Sequence, residues 1–390
     1  MAASSHCCHP FQADKMNDSF SYERYHRQLI LKDFGEAAQQ KLLQAKVLVI
    51  GAGGLGCPAL QYLTAAGVGT IGIVDDDIVA LNNLHRQVLY SVNDIGSSKA
   101  ETAAKKLSDL NPEIRIIPYN TRLTTENALD LISEYEIIID GTDNFSTRYM
   151  INDACVLIDK PLVYGAISQF EGQVAVFNHS SQSNEEKINY RDIFPNPPQE
   201  DEVLNCAEAG VLGVLPGIIG TMMANETIKM ITGIGEVLAG QLFTYNALNN
   251  QVFILSLSTS EESRPLMPKN KEEFKKTDYV WLCSSSHPEL EIDTETFKKI
   301  LSREKNADII DVREPGEMPA ATEFTNIKIP LGQLTNQMDL IRSDTVVLFC
   351  QSGKRSLQAA RILSGIFRNT KKIYSLKGGI VQWKKEQQTV

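Results

Sequence analysis

The chain has 390 residues, of which 43% are hydrophobic and 22% charged, and its formal net charge is −10. This composition is typical of a globular protein with more than one domain. The acidic balance argues against direct nucleic-acid binding, which needs a basic face, and no apolar run is long enough to span a membrane.

Residues 1–20 show neither a helical nor a strand period, and we expect them to be disordered. They have no basic segment followed by an apolar core, so we predict no secretory signal, and Met16 is an alternative start. The HCCH stretch at 6–9 has metal-binding residue types but no flanking fold to hold a metal. The seven cysteines are irregularly spaced, which indicates free thiols and a cytoplasmic location.

Residues 21–256 are predicted to form an α/β domain. An amphipathic helix comes first, and KVLVI, TIGIV, RIIPYNT and EIIID then form strands that alternate with helical segments. PLVYGAISQFEGQVAVFN adds two more strands, while VLGVLPGIIGTMM is too short for a membrane span and is a buried helix or a strand–helix corner. The alternation predicts a doubly wound, mostly parallel, Rossmann-like sheet.

The character of the sequence changes after residue 256. Residues 257–290 are rich in Ser, Lys, Glu and Pro and lack a sustained period, so we predict a linker. Residues 291–390 return to alternating strands and helices, with ADIIDVRE, TVVLFC and KKIYSL as strands. They predict a second, smaller α/β domain.

A glycine-rich turn follows the first strand. The motif GAGGLG places Gly51, Gly53 and Gly54 between that strand and a helix, where backbone and helix N-terminus favour a phosphate. Asp75 ends the second strand, where an acidic residue commonly binds a ribose. Taken alone, these features favour an enzyme that binds a nicotinamide or flavin dinucleotide at least as strongly as they favour any other nucleotide-binding protein.

Charged residues beyond this turn change the prediction. Asp77, Asn83, Arg86 and Lys99 follow the second strand, and Asp143 follows a later one in GTDN. A hydride-transfer site needs no cations beside the phosphates, whereas cleavage of an α–β phosphate bond needs them, with a carboxylate for Mg²⁺. For Arg86 or Lys99 taken singly, an ordinary solvated loop remains the alternative.

Several motifs between Arg24 and Met230 occur in the order of one family: RYHRQ, GAGGLG, DDDIVALNNLHRQ, GSSKAE, GTDN, GAISQFEGQV and CAEAGVLG. Together they resemble the MoeB/ThiF group, which is related to the ubiquitin-activating enzymes. The resemblance implies ATP-dependent adenylation of the C-terminal glycine of a small ubiquitin-like sulfur carrier ending in Gly-Gly.

The same resemblance implies roles for individual residues. Gly53 would back the phosphates and Asp75 would hold the ribose. The triphosphate would be lined by Asn83, Arg86 and Lys99, and Asp143 would hold Mg²⁺ or the reacting carboxylate. Arg27, in RYHRQ, would reach the ATP of a neighbouring subunit, which implies a homodimer.

Members of this group often hold a structural zinc with two C-x-x-C pairs. Here Asn189 and Asp192 occupy the first pair's positions, and the stretch 264–270, where we expect the second pair, has no cysteine. We therefore predict no structural zinc. Either another contact holds the part of the domain that the zinc would hold in relatives, or the 201–206 loop is looser.

Cys206 in LNCAEAG matches a cysteine that can attack the acyl adenylate in relatives, with a buried structural thiol as the alternative. Cys57 and Cys155 are predicted to be packing residues.

The motif CQSGKRS near the end of the chain follows a strand and opens a helix, a geometry that favours a thiolate and a bound anion at Cys350. Arg355 comes five residues after the cysteine and Ser356 six, whereas cysteine phosphatases have the arginine at six. With DVREPGE, IPLGQL and LKGGIVQW, the loop resembles a rhodanese domain. It implies that Cys350 carries a persulfide, cradled by Gly353, Arg355 and Ser356.

Together the two resemblances predict one reaction sequence: an acyl adenylate, then a carrier thiocarboxylate, serving molybdopterin, thiamine or tRNA thiolation. A sulfur donor such as a cysteine desulfurase would load Cys350. Three alternatives remain: an activating enzyme with an inactive, docking rhodanese-like module, a relative that modifies tRNA, and a non-catalytic scaffold for a ubiquitin-like protein.

Overall fold

The computed structural model describes residues 21–180, 186–197, 210–261, 263–283, 290–303, 307–367 and 370–387, without the side chains of 281 and 303. The HCCH stretch, the N-terminal segment predicted to be disordered and Cys206 lie outside these residues. Within them the chain forms one eight-stranded and one five-stranded sheet.

The larger sheet has the strand order β3-β2-β1-β4-β5-β6-β7-β8. Its strands are β1 (Lys46–Ile50), β2 (Thr70–Val74), β3 (Arg115–Tyr119), β4 (Ile137–Asp140), β5 (Leu162–Ser168), β6 (Glu171–Phe177), β7 (Gln241–Asn246) and β8 (Gln251–Ser256). The pairs from β3 to β5 are parallel, while β5 to β8 pair antiparallel. The predicted mostly parallel α/β sheet is confirmed, and the β7–β8 hairpin was not predicted.

Helices cover both faces of this sheet. They are α1 (Tyr22–Leu29), α2 (Gly35–Gln44), α3 (Gly56–Ala66), α4 (Lys99–Leu110), α5 (Ala128–Ser133), α6 (Phe145–Leu157), α7 (Tyr190–Ile193) and α8 (Leu215–Thr232). Val47 and Val49 face a core with α3, α4 and α8, while Leu48 and Ile50 face one with α5, α6 and α7. Side chains alternate between the faces of a strand, so β1 is buried on both sides, as expected for a central parallel strand.

The segment predicted to be a linker is folded where the structure describes it. It contains a 3₁₀ turn at Arg264–Leu266 and two short helices, α9 (Lys271–Lys276) and α10 (Tyr279–Leu282). Phe274 is fully buried and Tyr279 nearly so, both in the core beneath α6. The linker expectation is corrected here: burial of these two rings fixes helices that are too short to show a period in the sequence.

The smaller sheet has the order β11-β10-β12-β13-β9, and all its pairs are parallel. Its strands are β9 (Glu291–Ile292), β10 (Ala307–Asp311), β11 (Ile327–Lys328), β12 (Thr345–Phe349) and β13 (Lys372–Leu376), and its helices are α11 (Thr294–Arg303), α12 (Lys354–Phe367) and α13 (Gly379–Gln387). Apolar cores lie on both faces. Throughout the part of the chain that is described, every helix is too short or too polar to cross a bilayer.

Candidate functional site

The glycine-rich turn joins β1 to α3 and lies against the turn that follows β4. Gly51 has φ +93°, and a Cβ there would lie 2.8 Å from the Gly141 carbonyl oxygen. Both the positive φ and the close approach require glycine. At this turn, therefore, no side chain separates the backbone from the space beyond the carboxyl ends of the strands.

A cavity of about 340 Å³ occupies that space. It lies beyond the carboxyl ends of β1, β2 and β4, where the strand order reverses, the usual place for a ligand in an open α/β sheet. Eight predicted site residues line it: Gly51, Gly53, Gly54, Asp75, Asp77, Arg86, Lys99 and Asp143. The structure thus gathers into one cleft residues that lie up to 92 positions apart in the sequence.

Asp75 is fixed by the backbone around it. Its Oδ2 accepts a hydrogen bond from the Ala52 N–H at 2.7 Å, and its Oδ1 accepts one from the Asp77 N–H at 2.9 Å. Burial, the largest influence, raises the pKa of this carboxyl. The two backbone bonds hold the carboxylate at the edge of the glycine-rich turn, where a ribose hydroxyl could reach it.

Two cations face the same cleft. Lys99 begins α4, only 7% of its side chain is exposed, and its Nζ lies 2.8 Å from Asp77 Oδ2. Arg86 donates from Nη1 to the Asn82 carbonyl at 3.0 Å. The cleft therefore combines positive charge with a helix N-terminus, which suits a polyphosphate.

A third cationic residue, Arg148, was missed by the sequence analysis. It lines the cleft, its Nε lies 3.3 Å from Oδ2 of the fully buried Asp140, and its guanidinium lies 5.1 Å from the Tyr164 ring centroid. It also donates to the Thr142 carbonyl at 3.1 Å, beside the exposed Asp143. A signal was present, because Asp140 ends an apolar strand and a buried carboxylate needs a partner.

Two predicted residues lie elsewhere. The side-chain oxygen of Asn83 accepts from the Ala80 N–H at 3.1 Å within a 3₁₀ turn, and Asn83 is not among the residues that line the cleft. Arg27 is exposed on α1 and does not line its own chain's cleft. The predicted contact of Asn83 with the triphosphate stays a prediction, and in this structure its side-chain oxygen braces the turn that carries Arg86.

The Cys350 loop lies between β12 and α12. The Gly353 N–H donates to Cys350 Sγ at 3.2 Å, and the Ser356 hydroxyl lies 3.6 Å from the same sulfur. Gly353 has φ +96°, and a Cβ there would lie 2.9 Å from the Gly378 nitrogen. The loop thus turns hydrogen-bond donors toward a sulfur that is only 1% exposed.

Arg355, predicted to cradle the persulfide, is held by a residue that sequence analysis did not single out. Its Nη1 and Nη2 each lie 2.6 Å from a different carboxylate oxygen of Glu317. This pairing lowers the pKa of Glu317 to about 2. Glu317 lies in the turn after DVRE, whose Arg313 is paired with Asp311 at 2.7 and 2.8 Å.

The other thiols described agree with a packing role. Cys57 and Cys155 are both fully buried, and burial raises the pKa of Cys57 to about 12. Such thiols are poor nucleophiles. Cys206 lies outside the described residues.

Comparison with known proteins agrees with this geometry. The ThiF family model matches residues 25–266, and the rhodanese-like domain model matches residues 293–386. The chain belongs to the ThiF family and carries a C-terminal rhodanese-like domain. The resemblance inferred from the motifs is confirmed.

Two relatives illustrate the match. A Thermus thermophilus protein named sulfur carrier protein adenylyltransferase is 54% identical over 226 residues, which cover 58% of this chain and 83% of the relative. A Culex quinquefasciatus protein named adenylyltransferase and sulfurtransferase MOCS3 is 38% identical, covering 95% of this chain and 88% of the relative. Among solved structures, a crystal structure of E. coli MccB with MccA-N7isoASN has a TM-score of 0.54 at 21% identity, covering 62% of this chain and 73% of that one. It supports the fold of the first domain.

Proposed function

We propose that this chain adenylates the C-terminal glycine of a small ubiquitin-like sulfur-carrier protein with ATP, and then makes the thiocarboxylate through a persulfide on Cys350. One observation carries the proposal: the same chain holds a cation-lined phosphate cleft in a ThiF-family domain and a donor-lined cysteine loop in a rhodanese-like domain. The names of relatives that match nearly the whole chain join the same two activities.

The chemistry of the cleft lining supports ATP as the ligand. The backbone from Gly51 to Gly54 and the N-terminus of α3 would receive the phosphates, and Asp75 would accept a ribose hydroxyl. Lys99 and Arg86, which line the cleft, would neutralise the triphosphate. Asp143, exposed in the cleft, would hold Mg²⁺, which supplies further positive charge to the phosphates.

In the first step, a carboxylate oxygen of the carrier attacks the α-phosphorus, the bond to the bridging oxygen breaks, and pyrophosphate leaves. Two anions must approach each other, so the cations of the cleft lower the barrier by stabilising the transition state. The product is an acyl adenylate, whose AMP is a good leaving group.

In the second step, the terminal sulfur of the Cys350 persulfide attacks the acyl carbon and AMP leaves. A second thiolate then attacks Cys350 Sγ, forming a disulfide and releasing the thiocarboxylate. Cys206 is a candidate for that thiol. The donors around Cys350 suit an anionic persulfide, and a donor such as a cysteine desulfurase would supply its sulfur.

The remaining expectations belong to this proposal. The exposed Arg27 would complete the cleft of a second copy, making the active form a homodimer. We place the reaction in the cytoplasm, because free thiols persist there. The net charge of −10 supports a protein substrate rather than direct nucleic-acid binding.

The test is ATP–pyrophosphate exchange with purified chain and a carrier that ends in Gly-Gly. We expect exchange that needs the carrier and Mg²⁺, and that falls by about 100-fold or more in Lys99→Ala, because one stabilising charge is lost. A carrier with an added C-terminal residue is the matched control. Absence of exchange with every such carrier would overturn the proposal.

A further inference from the structure

Asn189 and Asp192, which take the places of the first zinc-binding cysteine pair of relatives, are joined by hydrogen bonds to a second pair of polar residues. Asn189 and Asp192 are separated by two residues, as in a C-x-x-C pair. Ser260 and Ser263 have the same spacing and lie against them. We expected the second pair at 264–270, and these two serines lie just before that stretch.

One carboxylate connects all four residues. Oδ2 of Asp192 accepts from the backbone N–H of Asn189 at 2.8 Å and from its side-chain amide at 2.7 Å. Oδ1 accepts from the Ser260 N–H at 3.0 Å and from the Ser263 hydroxyl at 2.7 Å. Asn189 is 6% exposed and Ser263 fully buried, so these bonds are largely shielded from water. We call these four residues the Asp192 clamp.

The chemistry of this donor set does not fit zinc. Structural zinc is bound by four thiolate or imidazole ligands, whereas the clamp offers one carboxylate, one amide and two hydroxyls. Both carboxylate oxygens of Asp192 are already occupied by hydrogen bonds from the other three residues. Among the residues that the structure describes, no cluster of three or more His, Cys, Asp or Glu could hold a metal ion.

A second brace holds the same lobe. Arg191, between the first two clamp residues, forms a buried pair with Asp153 on α6 at 2.7 and 2.8 Å. The Tyr279 hydroxyl donates to the same carboxylate at 2.9 Å. The lobe around α7 is therefore tied both to α6 and to the segment after β8 by side chains of this chain alone.

We propose that the Asp192 clamp takes the place of a structural zinc, and that its four residues mark where a four-thiolate site would form. A carboxylate with four hydrogen bonds does what a tetrahedral metal does: it joins two short segments that are distant in sequence. Folding of this lobe is then independent of metal supply.

The experiment is to install the missing thiols in the full chain. The variant N189C/D192C/S260C/S263C is titrated with cobalt under anaerobic conditions, beside N189C/D192C/S260C and the wild-type chain. We expect the four-cysteine variant to bind one more cobalt ion than the wild type, with the spectrum of a tetrahedral thiolate site, and the three-cysteine control to lose that spectrum. A folded four-cysteine variant that binds no more cobalt than the wild type would overturn the proposal.

A second measurement decides the matter if the four-cysteine variant does not fold. The melting temperature of the wild type should not change with a zinc chelator, and Asp192→Ala should lower it while the exposed control Ser258→Ala should not. Stoichiometric zinc in the wild type, with a chelator-induced fall in melting temperature, would refute the clamp. So would an Asp192→Ala variant that melts like the wild type.

Discussion

Beside the Cys350 loop, the Glu317 carboxylate meets the Arg355 guanidinium in two parallel hydrogen bonds. Its side chain is 25% exposed, so solvent weakens the pair. Arg355 is thereby held in one orientation beside the loop. We infer that this fixed orientation, and not only the charge, prepares the loop for an anionic sulfur.

We predict that Glu317→Gln lowers stability at neutral pH by about 0.5–1 kcal/mol and flattens its dependence on acid. The pKa of Glu317 falls from 4.5 to about 2 on folding. Its contribution is therefore complete above the unfolded pKa and is lost as the pH falls from about 4.5 toward 2. Urea unfolding between pH 2.5 and 7 measures this, with the exposed neighbour in Glu314→Gln as control. Equal acid slopes for Glu317→Gln and wild type would contradict it.

Sequence patterns predicted much of the cleft lining, but fewer of the buried side chains that hold that lining in place. Gly51, Asp75 and Lys99 were predicted because their residue types suit phosphate and ribose. Arg148 was not, because its partner Asp140 is brought to it by the turn after β4. The role of Asn83 stays open, because an amide can serve its own turn as well as a ligand.

The element that shapes the cleft is the turn between β1 and α3. We predict that Gly51→Ala destabilises the chain by about 1–3 kcal/mol and raises the KM for ATP, because a Cβ would press on the Gly141 carbonyl at a strained φ. Thermal unfolding and pyrophosphate exchange measure the two effects.

Gly217 in α8 is the matched control, since a Cβ there meets nothing within 4 Å. Gly217→Ala should be neutral or stabilise the helix by up to about 1 kcal/mol. If the two alanine variants behaved alike, steric demand at the turn would not explain the motif.

At the level of elements, long periodic segments were predictable and short ones were not. The residues of β1 and α8 are mostly apolar, so the sequence alone predicts that these two elements are buried. The helix α9 has six residues, and only Phe274 in it is buried, so its stability comes from a core built by other segments. All residues of β8 are exposed, which removes the alternation that identifies a strand.

For the whole molecule, the folded segment after β8 sets the position at which the first domain can be truncated without losing stability. We predict that a chain ending at residue 283 is more stable than one ending at 256 by on the order of 3 kcal/mol or more. The shorter chain leaves the sites of Phe274 and Tyr279 empty and Asp192 without its serine partners. Comparing their denaturant midpoints tests this. Equal midpoints would mean that the segment is only a tether.

The two domains should also separate functionally. We predict that Cys350→Ser keeps carrier-dependent pyrophosphate exchange near the wild-type rate and loses thiocarboxylate formation, because only the second step uses the sulfur. Mass spectrometry of the carrier after reaction distinguishes the two. Thiocarboxylate made at an undiminished rate by Cys350→Ser would instead support a docking role for the second domain.

The Asp192 clamp also has a consequence for the order in which the chain is made on the ribosome. Asp192 is synthesised 71 residues before Ser263, and Asp153 126 residues before Tyr279. Arg191 can pair with Asp153 early, but Asp192 lacks its serine donors and Asp153 lacks the Tyr279 hydroxyl until the antiparallel edge of the sheet and the segment beyond it have left the exit tunnel. A four-thiolate metal site at the same four positions would face the same delay, because its second pair of ligands would also be the last to emerge. Here closure is a late event of translation, and a stalled chain ending before residue 260 would present an open lobe to the proteases and chaperones that survey nascent proteins.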